Sequence, residues 1–289
     1  MHINKSQQEI LQGFQCKRVC NIDASCLHHI NGPLIDGTNR SPLINHFRND
    51  KHIDDDKNGY LASYVITNKN DEILLFFSIR CGELFEKIDL KKMELGRKAY
   101  EGVNKLQNTP NLTKQDASMA LQDIKNALNA GLNYDDFKYF AYKTYTYIGD
   151  VSKEPCDEVS RVSTVYSGVE LKFFGINDNT KKFWDDLNFP KKMGETLFWY
   201  FIVPKLEDLR EIVGCQFLYL FAADRDADGS LVTYYRTVLH LDGPPGLSYN
   251  KPYFDYQSMF LYQDIAHLME QRDLFFSTFN PDIEDVEIV

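Results

Sequence analysis

The segment at residues 191–196 contains the residue types that bind anions. It reads Lys-Lys-Met-Gly-Glu-Thr and begins an amphipathic pattern that runs to Val213. The first backbone N–H groups of a helix have no partner within the helix, and they carry the positive end of its dipole. Gly194 lets a ligand approach the backbone, although single glycines also begin many ordinary helices. By residue type, Lys191, Lys192, Met193, Gly194, Glu195 and Thr196 suit a bound diphosphate, and the ordinary start of a helix is the other interpretation of the same pattern.

Three neighbouring elements position this segment. Residues 168–175 and 216–223 are short apolar runs with β-branched and aromatic side chains, which predicts two strands. Between them, residues 194–213 have apolar side chains at helical spacing. Pro204 is expected to kink or split that helix, because it cannot donate a backbone hydrogen bond. A strand, a helix and a second strand form a βαβ unit, whose strands are expected to be parallel.

The rest of the chain supplies further predicted elements. Residues 60–67 and 73–79 are apolar runs separated by an Asn/Asp-containing turn, which predicts an antiparallel hairpin. A helical period runs through residues 86–150, and one more helix is expected at residues 7–19. After the linker signal Pro-Pro-Gly, the apolar spacing of residues 255–279 predicts an amphipathic helix.

These elements, in this order, resemble the GNAT superfamily, the Gcn5-related N-acetyltransferases, and within it the toxin-like bacterial branch. The resemblance covers about residues 43–241. The matching pieces are the strand at 169–174, the loop and helix at 191–196, the strand at 217–223, the helix at 231–236 before a final strand near 239–241, and the Leu-Ile-Asn-His-Phe helix at 43–47 with the hairpin that follows it.

The resemblance implies a fold and a domain organisation. We expect one α+β domain over residues 1–289, built on a GNAT-like mixed β-sheet flanked by helices. Residues 43–85 and 151–241 would form its core. Residues 86–150 would be a helical insertion, and residues 242–289 a C-terminal helical extension.

The resemblance also implies an acyl-CoA donor. Its pantetheine arm would bind the backbone of the first parallel strand where the two strands diverge, and its diphosphate would bind the N–H groups at residues 192–196. The family's loop usually carries three close glycines and an Arg or Gln. Here Gly194 is the one glycine retained, Lys192 replaces another, and Phe189 replaces the polar residue. The implied strand contacts are Phe173, Phe174 and Ile176.

Acyl transfer to an amine also needs an acid and a base. In the family, a Tyr on the helix after the second parallel strand commonly protonates the departing thiolate. Tyr235 matches this position best and Tyr234 stays open, while either could be an ordinary packed aromatic residue. Glu170 is the candidate base, acting directly or through water, and Glu83 is the second candidate.

The composition restricts the class of protein. The chain has 289 residues, 43% of them hydrophobic, and a formal charge of −10, which disfavours generic binding to nucleic acid. Residues 242–289 hold most of that charge, with nine acidic and two basic side chains, so a tRNA-linked acceptor stays open for the nearly neutral remainder. Six scattered cysteines and the lack of a membrane-spanning or signal segment predict a cytoplasmic protein.

Two groups of residues resemble metal sites in part, and neither is expected to bind a metal. Residues 224–229 imitate part of a calcium loop, but Tyr235 stands where the loop needs a bidentate Glu. Cys16, Cys20 and Cys26, with the two histidines at positions 28 and 29, do not have the spacing of a tetrahedral zinc module.

The sequence therefore predicts an N-acetyltransferase that uses acetyl-CoA as co-substrate. The acceptor, a primary amine, would attack the thioester directly, without a covalent enzyme intermediate. The alternative is a GNAT-fold binding or regulatory protein that has lost acyl-CoA turnover. The acceptor and the oligomeric state do not follow from the sequence.

Overall fold

The structure, a computed structural model, describes residues 3–32, 34–35, 39–40, 42–86, 90–141, 165–222, 229–244, 246–249 and 258–277. The chain divides into two compact units. The first unit contains Met1–Leu84, Tyr166–Pro245 and Tyr249–Val289, and it carries almost the whole of the sheet. The second unit, Phe85–Val165 with Gly246–Ser248, contains the helices of the expected insertion.

Strands along the path β1-β4-β5-β6-β7-β9 form the main sheet. The pairs β1–β4, β4–β5 and β7–β9 are antiparallel, whereas β6 and β7 are parallel, as the βαβ pattern predicts. The sheet is therefore mixed, and the predicted hairpin is confirmed. The strands are β1 Gln15–Arg18, β2 Leu34–Ile35, β3 Asn39–Arg40, β4 Ala62–Thr67, β5 Ile73–Glu86, β6 Val165–Ile176, β7 Phe217–Ala222, β8 Leu247–Tyr249 and β9 Met259–Asp264.

Helices account for most of the other described residues. The predicted helices at 43–47, within 86–150 and at 231–236 are confirmed. The helices are α1 Lys5–Gln12, α2 Pro42–Phe47, α3 Asp50–Lys57, α4 Leu90–Asn108, α5 Lys114–Asn129, α6 at the described residues 134–141, α7 Lys181–Asp186, α8 Met193–Leu197, α9 Val203–Val213, α10 Ser230–Thr237 and α11 Ile265–Phe276. Among the described residues, no helix is both long enough and apolar enough to cross a membrane.

The helical run between β6 and β7 is split near Pro204, as expected. It begins as α8, continues through one π-helical turn at Phe198–Ile202, and becomes α9 at Val203. Pro204 has no N–H group to bond to the preceding turn, and the wider π turn accommodates this loss. Gly214 ends α9 with φ of 72°, a left-handed conformation that glycine adopts without strain.

The N-terminal prediction needs correction. The helix expected at residues 7–19 ends at Gln12, and Gln15–Arg18 is a strand that pairs with β4. Asn4 and Gln7 form a capping box that places the start of α1. Gln15–Arg18 pairs with β4, and this tertiary contact outweighs the local helical pattern.

The C-terminal prediction needs correction too. The helix expected at residues 255–279 begins only at Ile265, and no strand forms at residues 239–241. Met259–Asp264 pairs instead with all six residues of β7, so this extension completes the sheet. Asp264 fixes the change from strand to helix, because its carboxylate accepts from the backbone N–H groups of Ala266 and His267.

The sheet of the first unit has a hydrophobic cluster on each face. Val65 and Ile66 are neighbours on β4 but belong to different clusters, so the clusters lie on opposite faces. The main core is the cluster that contains Ile66 together with side chains of α8, α9, α10 and α11. The smaller core contains Val65 together with side chains of α2 and α3, including Phe47.

Candidate active site

The parallel strands β6 and β7 diverge in the middle of the sheet. Their pairing covers three positions, Gly168↔Phe217, Val169↔Leu218 and Glu170↔Tyr219. Both strands continue beyond Glu170 and Tyr219, β6 as far as Ile176. The backbone groups on that side of β6 therefore have no partner on β7, and they could bind an extended ligand.

The alternation of side chains along β6 changes in the diverging half. Leu171 and Phe174 both pack in the main core, although they are three residues apart. Phe173 packs on the other side, with its ring stacked on His46 at a centroid distance of 4.6 Å. Such a shift by one residue is typical of a β-bulge, which often occurs beside a functional site. The bulge points the backbone N–H and C=O groups of Phe173 and Phe174 in directions other than those of a regular strand.

The first turn of α8 lies beside this half of β6. Gly194 is buried there, and a Cβ placed on it would lie 3.4 Å from Oη of Tyr234, 3.5 Å from Cγ2 of Ile176 and 3.9 Å from Cζ of Phe174. The structure thus brings together four of the residues predicted for the site. Met193 and Thr196 are buried in the same helix.

The charges at the start of α8 are partly paired. Lys191 forms an ion pair with Glu195 at 3.0 Å, and the Glu195 side chain is only 10% exposed. Lys192 is the N-cap and is exposed, with no side-chain capping hydrogen bond. Trp184 donates from Nε1 to the carbonyl of Lys191 at 3.1 Å, which fixes the approach to the helix. A ligand anion here would meet the helix N-terminus and Lys192, next to the charge of Glu195.

The two candidate tyrosines have different surroundings. Tyr235 is buried in the main core, and burial raises the pKa of its hydroxyl to about 12. Burial also raises the pKa of Tyr234, with smaller effects from Tyr235 and Glu195. Both side chains therefore keep their protons at neutral pH and can act as donors. Of the two, Tyr234 places its hydroxyl against Gly194, whereas the Tyr235 ring lies 6.5 Å from the ring of Phe174.

The candidate bases also differ. Glu170 is 2% exposed and accepts a hydrogen bond from Nε of Arg80 at 2.5 Å. Tyr219 lies opposite Glu170, and burial followed by the Glu170 charge raises the pKa of its hydroxyl to about 12. Glu83 is exposed on β5. Glu170 is thus held in an ion pair at the point of divergence, and Glu83 lies in solvent.

Sequence reasoning missed a histidine pair beside the site. His52 is fully buried, and neither of its ring nitrogens has a hydrogen-bond partner among the described residues. Burial, and then the charge of His46, lowers the pKa of His52 to about 4. The two rings lie 5.0 Å apart, and burial followed by the charge of Lys172 lowers the pKa of His46. The pair forms because α2 and α3 meet the bulged strand, so no local spacing signals it.

The described residues contain no candidate metal site. Within the described ranges, no group of three or more His, Cys, Asp and Glu side chains could hold a metal ion. The calcium-like loop lies almost wholly outside the described residues. The cysteines that the structure describes are free, namely Cys16, Cys20, Cys26, Cys81 and Cys215.

Comparisons with known proteins give only distant likenesses. No protein-family model matches the chain, and no curated protein matches it by sequence. A mutant AtaT toxin bound to the C-terminus of the antitoxin AtaR and acetyl-CoA has 9% identity and a TM-score of 0.44, with 91% of this chain and 98% of that chain covered. AtaTR bound with acetyl-CoA has 12% identity and a TM-score of 0.44, covering 92% and 99%.

A polyamine N-acetyltransferase from Drosophila melanogaster has 11% identity and a TM-score of 0.29, with 87% of this chain and 99% of that chain covered. Similarities at these TM-scores do not indicate the function of this chain, which has to be inferred from its own residues. The topology is clear without them, since a parallel pair diverges in the centre of an otherwise antiparallel set of strand pairs, with helices on both faces. The chain has an α+β fold built on a mixed β-sheet, as its sequence predicts.

Proposed function

We propose that this protein transfers an acetyl group from acetyl-CoA to a primary amine. The observation that carries the proposal is the divergence of β6 from β7 directly beside the first turn of α8. Unpaired strand backbone and helix N–H groups lie close enough there to bind one ligand that has an amide-containing arm and a diphosphate.

The residues around Gly194 fit such a donor. The absence of a side chain at Gly194 leaves a space the size of one methyl group between Ile176, Phe174 and the hydroxyl of Tyr234. We expect the diphosphate to bind the N–H groups of residues 192–196, with Lys192 as the exposed cation and Lys191 shared with Glu195. The arm of the donor would then follow the backbone of Ile176, Phe174 and Phe173.

Two side-chain roles follow from the proton balance of the reaction. The acceptor amine must lose protons as it attacks the thioester carbonyl, and the departing thiolate must gain one. Tyr234 and Tyr235 are the donor candidates, because both hydroxyls carry a proton at neutral pH; their raised pKa values make them weaker acids than a free tyrosine. Glu170 is the candidate acceptor, directly or through water, with Arg80 holding its carboxylate in place. Glu83 remains the second candidate.

The proposal extends to location and partners. We place the protein in the cytoplasm, since its described cysteines are free. Its partner is an amine-bearing acceptor, and no metal takes part in the proposed reaction. The expected acidic surface of the C-terminal residues disfavours nucleic acid other than a tRNA-linked acceptor.

Calorimetric titration with CoA and acetyl-CoA tests donor binding, and release of free thiol with a panel of amines tests transfer. We expect Lys192→Gln to weaken binding, because it removes the exposed cation at the helix N-terminus. Lys57→Gln, which removes an exposed charge on α3, is the matched control and should bind like the wild type. A wild-type protein that binds neither compound would refute the proposed function.

One observation favours the non-catalytic alternative. The carboxylate of Glu195 lies in the first turn of α8, where it stabilises the helix dipole in place of an external anion. A regulatory protein of this kind would bind acetyl-CoA, or a smaller anion, without thiol release. Binding that is never followed by release, whichever amine is added, would support that alternative over the enzyme.

A further inference from the structure

Lys172 occupies a distinctive position on β6. It comes two residues after Glu170, the last position paired with β7, and directly before Phe173. Its side chain is partly buried, and Nζ lies 5.6 Å from the centroid of the Phe173 ring. Lys172 is therefore the lysine at the point where the diverging half of the strand begins.

The groups around Lys172 come from four elements. Lys172 interacts electrostatically with Arg80 on β5, Glu170 on β6, Asp55 and His52 on α3, and His46 on α2. Lys172 forms no ion pair within the described residues, because Glu170 is bonded to Arg80. Burial lowers the pKa of Lys172 and the charge of Arg80 lowers it further, against weaker opposing effects of Glu170 and Asp55. More of its amine is neutral near pH 7 than on an exposed lysine, and the neutral amine is the nucleophile.

The proposed donor brings its reactive end to this residue. A diphosphate at the first turn of α8 lies beside Ile176, at the far end of β6. The arm would run from there along Phe174 and Phe173 towards the point of divergence, at about 3.3 Å per residue. The thioester at its end would then lie beside Lys172 and Glu170. This placement rests on the proposed function.

We propose that Lys172 is acylated by the protein's own acyl-CoA donor. The neutral amine at Nζ attacks the thioester carbonyl, so that a C–N bond forms and the C–S bond breaks. The departing thiolate takes a proton from a tyrosine hydroxyl, which regains it from the attacking nitrogen through solvent. The products are an Nε-acyl-lysine and CoA, and no oxidant or reductant is needed. The modification replaces the amine of Lys172 with an uncharged amide and so removes its repulsion with Arg80.

The test follows acetylation by mass. Purified protein is incubated with acetyl-CoA, and the acetylated lysines are mapped by peptide mass spectrometry over time. We expect Lys172 to be modified at least about tenfold faster than the exposed Lys57, because the donor is held beside it. Lys172→Arg keeps the charge, and it should bind CoA like the wild type without acetylation at that position.

A second readout does not depend on the donor. Trace labelling with acetic anhydride across a pH series measures the nucleophilicity of each lysine, and Lys172 should reach half-labelling at a lower pH than Lys57. If CoA binds but Lys57 is acetylated as fast as Lys172, the inference is wrong and the proposed function survives. If CoA does not bind, both are wrong. A labelling profile for Lys172 that matches that of Lys57 also overturns the inference.

Discussion

Acidification should destabilise this protein through the buried ring of His52. The ring is fully buried against Phe47 at a centroid distance of 4.2 Å, and both nitrogens lack hydrogen-bond partners among the described residues. The folded-state pKa is about 4, against 6.5 for an unperturbed histidine. The unfolded chain therefore binds the proton first as the pH falls. The stability that neutral His52 contributes is fully present above its unfolded-state pKa. This contribution is lost as the pH falls from about 6.5 to about 4.

Linkage gives the magnitude. With these two pKa values, the free energy of unfolding falls by about 2 kcal/mol between about pH 7 and about pH 5, and the limiting loss at lower pH is about 3 kcal/mol. His52→Phe keeps an aromatic ring in contact with Phe47 and Phe173 but cannot be protonated. The variant should lose this part of the acid sensitivity.

Urea unfolding followed by circular dichroism, at several pH values, measures the effect. The informative quantity is the difference between wild type and His52→Phe at about pH 7, compared with the same difference at about pH 5. This comparison cancels the groups that do not interact with His52, whereas its coupling to His46, 5.0 Å away, is part of the measured effect. His28→Phe, at an exposed histidine, is the control and should follow the wild type. If the wild-type and His52→Phe stabilities fall in parallel, the buried neutral histidine is not what makes the protein acid-sensitive.

The remaining predictions concern one residue or pair each. Gly194→Ala should fold with its stability retained or raised by up to about 1 kcal/mol, because the added Cβ meets ordinary contacts, while CoA binding measured by calorimetry weakens. Asp56→Ala should cost about 3 kcal/mol or more in urea unfolding, since its buried carboxylate accepts from Arg18 and from two backbone N–H groups; an unchanged midpoint contradicts this. Asp264→Ala removes the cap of α11 and should cost about 1 kcal/mol in the same assay. In the thiol-release assay, Tyr234→Phe or Tyr235→Phe should slow turnover about a hundredfold, whichever is the acid, and two fully active variants would exclude both.

Much of the central sheet could be predicted from the sequence. Residues 168–175 and 216–223 have short apolar runs and a helical segment between them, and the structure contains the parallel pair that this pattern predicts. The split of the helical run near Pro204 was also predictable. The loss of a backbone donor is a local property, and neighbouring elements do not alter it.

The edges of the sheet could not be predicted in the same way. Met259 and Leu261 fit a strand or the start of a helix equally well, and the free edge of β7 decides between them. Gln15–Arg18 likewise becomes a strand only because β4 offers a partner. Strand formation at these positions depends on residues about forty to fifty positions away, which a local pattern does not contain.

The residues of the candidate site were only partly predictable, because their contacts also depend on distant parts of the chain. Gly194 and Tyr234 belong to recognisable elements, so they could be named in advance, although their contact is a product of packing. His46, His52 and Lys172 come from three elements, and each looks ordinary in its own segment. Their unusual protonation arises from burial and mutual charge, and neither can be read from residue spacing.

The pairing of β9 with β7 affects how the chain folds as it is synthesised. At about 5–20 residues per second, β7 is made seconds before residues 259–264, and it therefore emerges from the ribosome seconds before they do. During that interval the outer edge of β7 carries unpaired N–H and C=O groups on the apolar stretch Phe-Leu-Tyr-Leu-Phe-Ala. Such an edge is a template for association with another chain. Nascent chains that stop before Met259 should therefore aggregate, and a chaperone that covers β7 until Met259–Asp264 emerges would raise the yield of folded protein.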